Sequence, residues 1–124
     1  MNLSPEVFEE LANRALESMP EEFREKLDNV NVFIQDYPTE HQVRVAGLRR
    51  GMTLFGLYEG IPLTKRDRGY NMVLPDRITI FRMPILSACR TPAQIRQTVV
   101  HTVMHEIAHH FGISDERLRD LGKY

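Results

Sequence analysis

The chain has 124 residues, 42% of them hydrophobic and 27% charged, with a formal net charge of −1 and a pI of about 6.5. That length and balance describe one ordinary domain, residues 1–124, and exclude a general electrostatic pull toward nucleic acid or an anionic membrane. A lone cysteine, Cys89, excludes an intramolecular disulfide and a four-cysteine zinc ribbon, so a reducing, cytoplasmic setting is expected.

The first residues are acidic and amphipathic rather than basic and then apolar, so no signal peptide is expected, and no run of about 18 apolar residues marks a membrane span. Ser4-Pro5-Glu6 reads as an N-cap, a proline in the first turn and an acid at the positive end of a helix dipole. The helix that follows carries Val7, Phe8, Leu11, Ala12, Ala15, Leu16 and Met19 on one stripe, and Pro20 breaks it. A second short helix is expected over Glu21 to Leu27.

Val30 to Tyr37 alternates with the period of a strand. Gln42 to Arg50 reads as a short strand or a loop. Thr53 to Tyr58 is β-prone, and Gly56 within it implies a bulge or a close backbone approach. Glu59 to Asp76 is rich in turn formers and reads as a long surface loop, its Lys65-Arg66-Asp67-Arg68 run solvated. Arg77 to Met83 is the next strand, ended by Pro84, with Ile85 to Cys89 as an edge strand or irregular turn. Thr91-Pro92-Ala93-Gln94 is a capping box that starts a helix running to about Phe111, with Ile95, Val99, Val103 and Ile107 buried. Gly112 closes it as a left-handed cap, and a last short helix spans Ser114 to Leu121. Helix, strands, long helix is an α+β layout with helices on one face of a small sheet.

The long helix carries the chemistry. His105 and His109 are four residues apart, so both imidazoles lie on one face and can address one ion. Glu106 sits about 100° round the helix, beside that ion, placed as a general base toward water. The turn allowed by Gly112 brings Asp115 back as a third ligand, which leaves one position of a tetrahedral zinc site open. A plainer reading stands beside this one, with the histidines and glutamate as solvated groups and Asp115 as an acid in the first turn of the last helix. His101 lies one turn before His105, either a polar neighbour of the site or an ordinary helix residue. His110, about 100° from His109, reads as a surface residue.

From His105 to Asp115 the pattern HExxHxxGxxD resembles the zincins, in the variant with aspartate as third ligand. The wider chain resembles a small bacterial family of minimal zincin-like proteins through HTVMHEIAHHFG, through Asp115-Glu116-Arg117-Leu118, and through the P-D-x-I-x-x-F pattern at Pro75 to Phe81. The resemblance implies a minimal zincin-like fold with an N-terminal helix, a small mixed sheet and a long C-terminal motif helix. It also implies Zn2+ on His105, His109 and Asp115, catalysis by Glu106, and a peptide or protein substrate lying along the strand around Ile78 to Phe81 as an edge. Only nine residues follow Asp115 and none is methionine, so the methionine-containing turn of larger relatives is not expected. Tyr58, Tyr70 and Arg117 are the candidates for stabilising an oxyanion.

The leading expectation is a zinc metallopeptidase acting on short or unstructured peptides. Two alternatives stand: a non-catalytic metal-binding or partner-binding module, and a metal-dependent endoribonuclease, since His-x3-His-x5-Asp resembles the His-x3-His-x5-His of rRNA-maturation nucleases. Glu106 and the absence of a basic surface count against nucleic acid. An unknown protein partner completing the cleft is compatible with the first two.

Overall fold

The computed structural model describes residues 2–47, 53–60 and 76–120, the side chain of Asp115 excepted. Helix α1, Pro5–Glu17, begins where Ser4 Oγ accepts the Val7 N–H at 3.3 Å, and Phe8, Ala12 and Ala15 form its buried stripe. The two alanines let its backbone approach the long helix closely. Helix α2, Glu21–Leu27, follows Pro20 and buries Phe23.

Strand β1, Val30–Gln35, leads into helix α3, Glu40–Ala46, in place of the expected strand or loop. The cause is local. Thr39 and Gln42 form a reciprocal capping box, and Gly47 ends the helix at φ 69° with its N–H on the Arg44 carbonyl, so each terminus is capped.

Strands β2, Gly56–Glu59, and β3, Asp76–Phe81, complete a mixed sheet of order β1-β3-β2. β3 runs parallel to β1, with Val32 beside Ile78, and antiparallel to β2, with Tyr58 beside Ile78. This order corrects one expectation: the strand around Ile78 to Phe81 is central, with both edges paired, and cannot offer an edge to a peptide. The edge beside the motif helix is β2. Helix α4, Arg82–Ala88, replaces both the end of the expected strand, Arg82 and Met83, and the edge strand or irregular turn expected over Ile85 to Cys89. Pro84 is its third residue, where a missing N–H costs nothing because the first turn has no intrahelical acceptors.

Helix α5, Pro92–Phe111, starts at Thr91, whose Oγ1 accepts the Gln94 N–H at 3.1 Å. Its buried side carries Ile95, Val99, Val103, Met104 and Ile107, packed with Ile78, Ile80 and the α1 stripe in one core. Each such aliphatic side chain contributes about 1.5–3 kcal/mol by burial, so the orientation of α5 about its axis is fixed, and with it the direction of its polar side. Gly112 terminates α5 at φ 74° and ψ 26°, and the Ile113 N–H reaches back to the Ala108 carbonyl at 2.8 Å. After that turn Ser114 caps helix α6, Asp115–Asp120, and Leu118 returns to the core. The layout is the expected α+β one: N-terminal helix, small mixed sheet, long motif helix.

Candidate active site

His101, His105 and His109 recur every fourth residue on α5 and, with Thr102 and Glu106, line one side of a cleft of about 330 Å³. The other side is Ala46 at the end of α3 together with Thr53 to Gly56, the lead into the edge strand β2. The site is therefore a seam between the motif helix and the sheet edge.

Gly56 makes that seam possible. A Cβ built there would lie 2.7 Å from Thr102 Cγ2 on α5 and 3.1 Å from the Thr79 carbonyl oxygen, so only a residue without a side chain lets β2 lie against the helix. The close approach expected from the sequence at Gly56 is present. The pairing also fixes which backbone groups face out. Phe81 donates its N–H to the Phe55 carbonyl at 2.9 Å, and alternation along an antiparallel pair then turns the N–H and C=O of Gly56 and Tyr58 away from β3.

The outward N–H of Tyr58 donates to Glu106 Oε1 at 3.0 Å. One carboxylate oxygen is thus held by the strand, while the other has no hydrogen-bond partner among the described residues. Burial pushes the Glu106 carboxyl above its ordinary range, against the lowering pull of the Tyr58 N–H and of His109. A carboxylate with raised proton affinity at neutral pH is suited to general-base work.

The imidazoles of His105 and His109 have ring centroids 4.1 Å apart, tilted by 54°. Two imidazoles on one tetrahedral zinc, with Zn–N bonds of 2.0–2.1 Å, have centroids about 5 Å apart. Small side-chain rotations close the difference, so this pair fits as half of a zinc donor set. Asp115 has its backbone in the first turn of α6, and its side chain lies outside the described residues. Among the described residues no three His, Cys, Asp or Glu side chains converge on one point.

The family follows from the sequence match. The chain matches the family model described as zincin-like metallopeptidase over residues 27–123, which takes in β1 to α6 and the whole cleft. It belongs to that family. No curated protein matches this zincin-like chain. Among solved structures it is similar to a conserved hypothetical protein from Thermo thermophilus, with 25% identity and a TM-score of 0.54 over 88% of this chain and 94% of that one.

Some assignments shift. His110 is exposed as expected, but it also stacks on Tyr58 with centroids 4.0 Å apart and lies 3.6 Å from Asp76 Oδ2. It is four residues beyond Glu106 and so shares that residue's face, a spacing that was readable in advance. The Tyr58 hydroxyl donates to Asp76 Oδ2 at 2.8 Å, and Arg117 pairs with Glu22 at 3.3 Å. Neither is directed to the task of stabilising an oxyanion. Tyr70 and the Lys65 to Arg68 run lie outside the described residues. The residue that sequence reasoning missed is Tyr58 in its backbone role, because a contact between positions 58 and 106 leaves no local signal.

Proposed function

We propose that this zincin-like chain is a zinc-dependent hydrolase of peptidase type acting on short or unstructured peptides. The observation that carries the reading is the pairing of His105 and His109 beside Glu106, whose carboxylate is fixed by the edge strand. His105, His109 and Asp115 would hold the ion. Zinc bound there supplies Lewis acidity, polarising a scissile carbonyl and acidifying water.

Glu106 takes a proton from water through the oxygen that Tyr58 leaves unused and passes it to the leaving amine. Tyr58 keeps that carboxylate from swinging into solvent. Substrate selection follows from the seam. Gly56 presents its backbone N–H and C=O outward beside the cleft, so an extended peptide can pair there as an added strand, whereas Tyr58 has already given its N–H to Glu106. A cleft of about 330 Å³ accepts a few residues of flexible chain, not a folded surface.

A second reading, metal binding without turnover, is favoured by the commitment of the Tyr58 hydroxyl to Asp76, which withdraws it from any reacting group. Digestion of a pool of unstructured peptides separates the two. The wild-type chain is expected to cleave, and Glu106→Gln, at equal zinc content, to lose about 10²-fold or more in rate. Equal rates would remove Glu106 from the mechanism; full zinc occupancy with no cleavage by either would favour the second reading.

A further inference from the structure

His101 precedes His105 by the same four residues that separate His105 from His109, and all three line the cleft. The row therefore contains two neighbouring imidazole pairs. In the first, the His101 and His105 rings lie within 6° of parallel with centroids 6.2 Å apart; in the second the separation is 4.1 Å. One tetrahedral ion held by two imidazoles needs about 5 Å. One pair is thus about 1 Å too wide and the other about 1 Å too close, and comparable rotations about the side-chain bonds bring either into range.

We infer that His101 and His105 form a second position for an imidazole-favouring divalent ion such as Zn2+ or Ni2+, one helical turn before the first, with His105 common to both. Imidazole pairs at this helical spacing suit those ions over Mg2+ or Ca2+, which require oxygen donors. His101 is exposed, and a position built on two imidazoles binds more weakly than a site with three protein ligands. Sharing His105 makes the two positions compete for one ligand, so an ion held at the second leaves the first without His105 and lowers any activity that depends on the first site. Only this competition rests on the function proposed above; the second position stands on the His101–His105 geometry.

Calorimetric titration of the metal-free chain with ZnCl2 tests it. His109→Ala is expected to retain a zinc position, and adding His101→Ala to weaken it about tenfold or more, since even an outer partner of a ligand is worth that much. His101→Gln in the same background should weaken it likewise while circular dichroism shows the helix intact. Equal zinc affinity of His109→Ala with and without the His101 change would overturn the inference, as would complete loss of zinc in His109→Ala alone. Failure of the first site reads differently: His109→Ala and Asp115→Ala would each leave the tightest zinc unchanged.

Discussion

Replacing Gly56 by alanine tests how the cleft is built. In a strand alanine is intrinsically better than glycine by about 0.5–1 kcal/mol, so any loss is steric. The added Cβ would meet Thr102 Cγ2 at 2.7 Å, roughly 1 Å inside ordinary carbon–carbon contact, and the Thr79 carbonyl at 3.1 Å. Thr102 is β-branched on a helix and has few rotamers into which it can retreat, so β2 must move off α5. Overpacking of this size costs about 1–3 kcal/mol, or about 4 °C of Tm per kcal/mol for a chain of this length. Thr102→Ser removes the offending methyl and should restore part of the loss, the Thr79 contact accounting for the remainder. A thermal-unfolding cycle on the wild type, both single variants and the double variant measures the coupling. A Gly56→Ala protein with unchanged Tm, or a double variant no better than Gly56→Ala, would refute the seam between edge strand and motif helix.

Two further outcomes follow from the same geometry. Gly112→Ala forces a side chain into a left-handed conformation with nothing within 4 Å of its Cβ, so the cost is conformational alone, about 1 kcal/mol, read as a Tm drop of about 4 °C by circular dichroism. An equal or higher Tm would contradict that reading. Asp36 has its carboxyl held below the ordinary range by the Arg82 hydrogen bond, so the pair's stabilisation is present above the unfolded pKa of about 4 and fades as pH falls through the lower folded value. The Tm difference between wild type and Asp36→Asn should therefore be level at neutral pH and close toward pH 3, and a gap that widens in acid would contradict the assignment.

What the sequence made legible was local. Ser4-Pro5 and Thr91-Pro92 act within their own first turns, and Gly112 sits one residue past Phe111, so α1, α5 and the left-handed cap could be read directly. Alternation located β1 and most of β3. The capping box at Thr39 and Gln42 was masked by Pro38 before it and by the β-branched Val43 and Val45 after it, and Pro84 reads as a strand breaker until it is placed in a helix's first turn. Strand order is a tertiary property: nothing near Ile78 says that it lies between β1 and β2. The same division holds for the site. Helical spacing put His105 beside His109, but the N–H that holds Glu106 comes from Tyr58, and the Asp76 and His110 partners of that tyrosine come from two other elements.

Asp115 is proposed as the third ligand, which the turn at Gly112 would return to the His105–His109 pair. Equilibrium zinc affinity of the wild-type chain against Asp115→Ala is the most direct test of that role. One tight zinc per wild-type chain, weakened about a hundredfold or more in Asp115→Ala, is the expected result. Equal affinity in the two proteins would contradict it.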